Sequence, residues 1–151
     1  MLYPDLNSQK KLQQNLTRYR TALYLRLSRE DGDKTESDSI ANQRTLLEAY
    51  VADHPELCIV DEFVDDGYSG SNFERPAFQR LFRELEQGTI NCVLVKDLSR
   101  FGRNYIEVGR YLERIFPVMR VRLIAVTDNY DSQSAWTTSD SIMVPMRNLL
   151  N

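Results

Sequence analysis

Thr21-Ala22-Leu23-Tyr24-Leu25-Arg26-Leu27-Ser28 is the stretch on which the fold turns. Read with a period of two it is a strand, with Leu23, Leu25 and Leu27 on one face and Tyr24, Arg26 and Ser28 on the other. Three more runs rich in Leu, Val, Ile and aromatic residues, at 57–64, 91–97 and 121–127, read the same way. Helical patterns fill the gaps. Ser37-Asp38-Ser39 is a capping cluster ahead of Ile40, Leu47, Tyr50 and Val51. Phe78, Leu81, Phe82 and Leu85 recur at helical spacing, with Pro76 suited to the first turn and Gly88 to the stop. Val108, Tyr111, Leu112 and Ile115 repeat the pattern before Pro117. Strand and helix in alternation predict an α/β fold of three layers, a largely parallel central sheet flanked by helices.

The chain has 151 residues, 42% of them hydrophobic, which suits one domain with a single core. Residues 1–19 are polar and read as a tail, 20–136 as the domain. Thr137-Thr138-Ser139-Asp140 looks like a helix start, and Ile142, Met143, Met146, Leu149 and Leu150 continue an apolar pattern up to Asn151, so 137–151 reads as the beginning of a further helix. The net charge of -3 argues against coating of an acidic polymer or membrane by bulk electrostatics. Lysine occurs only at Lys10, Lys11, Lys34 and Lys96, so most of the 19 basic residues are arginines, the planar donors suited to phosphate. Cys58 and Cys92 lie in apolar runs and read as small buried hydrophobes. One histidine and no CxxC speak against a zinc site, and no apolar run reaches membrane-spanning length; a cytoplasmic setting without membrane contact is the expectation.

Candidate chemistry collects at one rim. In parallel sheets ligands bind beyond the carboxyl ends of the strands, where Ser28, the 65–75 loop and Ser99-Arg100-Phe101-Gly102-Arg103 all fall. A hydroxyl beside a guanidinium is half of what attack on a phosphodiester needs, and two more arginines supply the other half. Arg75 precedes the Pro76 helix and Arg100 and Arg103 a helix near Asn104, so positive helix ends are expected to help hold an anion. Plainer readings stand beside this one: Ser28 as a strand-end turn residue, Arg26 extending its stem to water, Arg100 and Arg103 as a solvated turn paired with Glu107, and Gly67, Gly70, Tyr68 and Ser69 as a flexible turn. Gln43, beside the apolar stripe of its helix, favours a hydrogen-bonding role.

Tyr-x-Arg-x-Ser at 24–28, Ser-Ile-x-x-Gln at 39–43, Asp-x-x-Ser-Gly at 66–70 followed by Arg75-Pro76, and Leu-Ser-Arg-x-Gly-Arg at 98–103 together resemble the catalytic domain of serine recombinases, the resolvase/invertase family. The match spans about 21–150. Lys96 to Asn104 and the long interval from Ser28 to Ser39 look most like the large members found in transposons and as phage integrases. The resemblance implies that Ser28 attacks the DNA phosphodiester and forms a 5'-phosphoserine link. It implies catalytic roles for Arg26, Arg75, Arg100 and Arg103 and supporting roles for Tyr24, Gln43, Asp66 and Ser69. Small resolvases carry an aspartate where this chain has Ser99, so a carboxylate role does not transfer there.

It further implies duplex DNA as partner, a dimer that becomes a tetramer in the active complex, strand exchange and religation. No metal or other cofactor is expected, because fixed guanidiniums can stabilise the developing charge and a covalent intermediate conserves the phosphodiester energy. The base that takes the serine proton is not identified: His54, beside Pro55 at a helix end, is badly placed, and Asp66 or an arginine-assisted water are the alternatives. A fragment of this kind is expected to be inactive alone. The competing reading is a non-catalytic, DNA-associated regulatory or oligomerisation domain on the same scaffold.

Overall fold

The computed structural model describes residues 5–10, 18–27 and 39–135. Residues 6–10 form a short helix, and the first strand, β1, runs Tyr19–Leu27. After it come α1 (Ile40–Ala52), β2 (Leu57–Asp66), α2 (Pro76–Gln87), β3 (Cys92–Val95) and the single turn α3 (Leu98–Phe101). A longer helix follows as α4 (Tyr105–Arg110), a π-turn at Tyr111–Ile115 and α5 (Phe116–Met119), before β4 (Arg122–Ala125), β5 (Tyr130–Asp131) and α6 (Ser132–Ala135). The expected helix from 137 onward lies outside the described residues, as do Ser28 and Ser37-Asp38.

The sheet order is β2-β1-β3-β4-β5, parallel except for the β4–β5 pair. The chain leaves β1 toward β2 on one side and later returns to β3 on the other. Right-handed crossovers in opposite directions put their helices on opposite faces. α1 therefore covers Leu23, Leu25, Leu57 and Leu94, and α2 with the α4–α5 helix covers Ala22, Tyr24, Phe63, Val93 and Val95. The alternation read from β1 is thus realised on two cores. Between β1 and β3, where the strand order reverses, the carboxyl ends open a crevice, the usual ligand position in such sheets.

The local signals act as expected at most helix ends. Ser39 caps α1, its hydroxyl accepting the Asn42 N–H at 3.1 Å. Pro76 is the first residue of α2, and Gly88 ends it in the left-handed region at φ 78°. Pro117 does not end its helix, contrary to the sequence reading. The turn ahead of it widens instead: Phe116 N–H bonds the Tyr111 carbonyl five residues back, and the helix continues to Met119. Arg120, left-handed at φ 58°, makes the stop. Cys92 is buried, and burial pushes its thiol up to about 12; Cys58, on the outermost strand, is half-buried rather than buried. Among the described residues no helix is long and apolar enough to cross a membrane.

Candidate active site

Arg26 occupies the carboxyl end of β1, on the face shared with Tyr24. It is wholly buried, and each of its nitrogens donates to a carbonyl: Nε to Arg100 at 3.1 Å, Nη1 to Tyr68 at 3.0 Å and Nη2 to Ser99 at 2.6 Å. Those carbonyls belong to the two rim segments that flank the crevice. Gly70 is what permits the approach. A Cβ there would stand 2.7 Å from Arg26 Nη2, 3.0 Å from Arg26 Cζ and 3.1 Å from Arg103 Cγ. The Gly70 carbonyl accepts the Arg103 N–H at 2.7 Å, so the loop and the Arg103 backbone are also tied to each other.

Arg75 is 1% exposed and ends in the same place from the other direction. Its Nε donates to the Asn72 carbonyl at 2.9 Å, Nη2 to that of Phe101 at 2.6 Å, and Nη1 to the Tyr24 hydroxyl at 2.8 Å. The guanidinium lies 4.7 Å from the Phe73 ring centroid and 5.2 Å from that of Phe78, a cation–π seat in a dry setting. Gly102 makes room for Phe73, whose Cζ would be 2.7 Å from a Cβ at that position.

Arg100, 5% exposed, donates from Nη1 to the Arg26 carbonyl at 3.2 Å. Gln43 Nε2, reaching across from α1, donates to the same oxygen at 3.1 Å. Gln43 is fully buried, in keeping with the hydrogen-bonding role read from its helix position. Arg103 is half-buried at the opening of the cluster. Three buried guanidiniums and a fourth beside them thus converge where β1 and β3 part.

Among the described residues one buried carboxylate faces this group, Asp65, which sequence reasoning did not single out. Asp65 Oδ2 accepts the Tyr24 hydroxyl at 2.8 Å and the Phe78 N–H at 2.9 Å, while Oδ1 accepts the Ala77 N–H at 2.8 Å. Asp66 is exposed, and so is Ser69, whose hydroxyl bonds that of Ser71 at 3.0 Å. Asp66 came from the Asp-x-x-Ser-Gly motif at 66–70, whereas the inward facing of Asp65 is set by a bulge. β2 carries one extra residue, Val60, between the partners of Thr21 and Ala22, which reverses the facing of everything after it. Asp65 also overturns the expectation that the α2 amino end is open to an anion, because its own carboxylate already occupies those amides.

The electrostatics follow from this inventory. Burial, then the charges of Arg75, Arg100 and Arg103, lower the Arg26 pKa to about 10. Burial lowers that of Arg75 too, against the pull of Tyr24 and Asp65. Burial raises the Tyr24 phenol, which stays protonated and donates to Asp65. Like charges held together in low dielectric are costly, and an anion such as a phosphate, with its charge shared over non-bridging oxygens, would relieve the cost. The solvated-turn reading of Arg100 is excluded by its burial, and the ion pair found for Glu107 is with Arg110, at 3.9 Å. His54 sits far from this rim by topology, after the carboxyl end of α1, stacked on Tyr50 at 3.8 Å. Ser28 directly follows the last residue of β1 in sequence and is outside the described residues.

The wider comparisons agree on one family. The model of the resolvase N-terminal domain matches residues 21–151. Among solved structures, the N-terminal catalytic domain of TP901-1 integrase is 27% identical, with a TM-score of 0.70 over 85% of this chain and 93% of that one. A resolvase-family site-specific recombinase from Streptococcus pneumoniae is 30% identical, with a TM-score of 0.67 over 84% and 85% of the two chains. The C-terminal catalytic domain of ISC1926 TnpA, an IS607-like serine recombinase, is 26% identical, with a TM-score of 0.58 over 71% and 70%. Among curated proteins none matches significantly. With a five-stranded, mostly parallel sheet between helices and an arginine cluster at its reversal point, the chain belongs to the resolvase family and is a serine recombinase catalytic domain.

Proposed function

We propose that this domain cleaves and rejoins duplex DNA through Ser28, within an assembly of identical subunits. The observation that carries the reading is the charge imbalance at the rim: Arg26, Arg75 and Arg100, all buried, with one buried carboxylate, Asp65, among the described residues. Such a cluster suits an anion whose charge grows during reaction. In the step itself the Ser28 oxygen bonds to phosphorus, the bond to the 3'-oxygen breaks, and the serine proton passes in net terms to that oxygen. A 5'-phosphoserine and a free 3'-hydroxyl result, and religation is the reverse after strand exchange. Arg103, at the opening, and Arg100 meet the non-bridging oxygens. Arg26 and Arg75, bound mostly to carbonyls, hold the rim segments in place and contribute their charge from behind. Tyr24 and Gln43 support this frame through Arg75 and the Arg26 carbonyl.

The test is to incubate the full-length protein that carries this domain with duplex bearing its cognate site, quench in denaturant and ask whether DNA stays covalently attached. A 5'-linked adduct that disappears in Ser28→Ala is expected. Intact DNA binding with no adduct in the unaltered protein would favour the non-catalytic scaffold, and an adduct surviving Ser28→Ala would place the nucleophile elsewhere.

A further inference from the structure

The turn α3 supplies half of the oxygens that hold Arg26 and Arg75, yet it is too short to hold itself. A helix of four residues has almost no internal hydrogen bonds to set against its ordering cost. Its carbonyls are fully engaged: Leu98 accepts Gly102 N–H at 2.8 Å, Ser99 and Arg100 accept Arg26, and Arg100 and Phe101 accept Arg75. Its amides depend on two carboxylates. Asp97 accepts the Arg100 N–H at 3.1 Å and also the Ser99 hydroxyl. The Leu98 N–H, the first of the turn, is taken at 2.7 Å by Asp128 Oδ2, thirty positions away in sequence.

Asp128 is itself presented by a fixed turn. Val126 N–H bonds the Val95 carbonyl at 3.1 Å, Thr127 N–H and hydroxyl bond that of Lys96 at 2.8 and 2.9 Å, and Asn129 closes the turn in the left-handed region at φ 55°. The β3–β4 pairing is thereby carried past the strand ends until it delivers a carboxylate to the start of α3. Resting on the function proposed above, we infer that Asp128 is a positioning residue for cleavage, acting through the Leu98 amide to hold α3 in the one orientation that seats Arg26, Arg75 and Arg100. Among the described residues no other side chain bonds the Leu98 amide, and Asp97 is already committed to the amide and hydroxyl beyond it.

Four variants test this: Asp128→Ala, Asp128→Asn, Arg100→Ala and the double variant Arg100→Ala with Asp128→Ala. In single-turnover adduct formation, Asp128→Ala is expected to lower the rate about 10–100-fold, as for a displacement of about 1 Å at a reacting centre. DNA binding should be retained. Asp128→Asn keeps an acceptor oxygen and should recover most of the rate, and adding Asp128→Ala to Arg100→Ala should cost much less than it does alone, because both act through the same turn. Amide hydrogen exchange should show 98–103 opening in Asp128→Ala and not in Asp128→Asn. Unaltered cleavage in Asp128→Ala, equal damage by Asn and Ala, or additive effects with Arg100→Ala would overturn the inference. If the unaltered protein forms no adduct, the reading of the function fails instead, and exchange at 98–103 still decides whether Asp128 holds the turn.

Discussion

Two arginine sites lie at opposite rims of the same sheet and solve burial in opposite ways. At the amino end, Arg122, also 5% exposed, meets Asp131 through two bonds, Nε to Oδ1 at 3.0 Å and Nη2 to Oδ2 at 2.6 Å. Glu56 stands 3.7 Å away, and the Tyr19 ring lies 4.8 Å beneath the guanidinium. Burial there works against the charge, but the hydrogen bonds and charge of Asp131 more than offset it, and the Arg122 pKa is raised. At the carboxyl end Arg26 is bonded to neutral carbonyls, has three arginines for neighbours, and its pKa falls. A buried arginine is thus uninformative by residue type. What separates a structural clamp from an anion site is whether the counter-charge is built into the chain.

The sharpest way to break this contrast is to remove a cation from the rim where, among the described residues, three buried arginines share the one buried carboxylate of Asp65. Arg100→Ala should reduce adduct formation about 10²–10³-fold, the scale of one lost charge-stabilising donor. Its melting temperature should change far less than that of a variant broken at the other rim. There, Asp131→Ala leaves buried Arg122 with only the longer 3.7 Å pair to Glu56 and should cost about 3 kcal/mol, the lower end for a broken buried pair because that second pair remains and the Asp131 side chain is 23% exposed. Denaturant midpoints would show it. The cleavage rate of the folded fraction should not move, and a large loss of rate there would erase the distinction.

A finer test moves the site without removing charge. Gly70→Ala puts a methyl within 3.1 Å of both Arg26 and Arg103 and should slow adduct formation about 10–100-fold, with little change in thermal stability. The smallest effect is expected from pH. Burial, aided by the neighbouring Asp97, raises the Asp128 carboxyl above the usual carboxylate range, against the opposing pull of the Leu98 amide. With the folded value above the unfolded one, the folded protein binds the proton more tightly, so this group contributes stability at low pH that is lost as pH rises through its folded value. Asp128→Asn should flatten that acidic slope, measurable by denaturation at several pH values; a steeper slope would contradict the assignment.

Sequence alone revealed the period-two face of β1, the Ser39 cap, the Pro76 start and the Gly88 stop, because each is a local preference with a local partner. The convergence of Arg26, Arg75 and Arg100 was legible too, through the rule that places ligands beyond parallel strand ends. Three things were not. The bulge at Val60 leaves no compositional trace, so nothing in the sequence marks Asp65 as facing inward. The π-turn let Pro117 sit inside a helix that its ring ought to end. α3 has no periodicity to detect at four residues, and Asp128 bonds it from thirty positions away, a contact set by the β3–β4 pairing and by no nearby residue.

The bulge has a second consequence. β2 is the outermost strand and ten residues long, so one whole side of its backbone has no neighbouring strand among the described residues. A straight strand of that length is a template onto which another chain can add. Val60 interrupts the ladder just where Ile59 and Val60 are most exposed, and Asp61 and Glu62 follow at once. The same extra residue that turns Asp65 inward therefore kinks and charges the edge, protecting the protein from self-templated aggregation where it is otherwise most apolar.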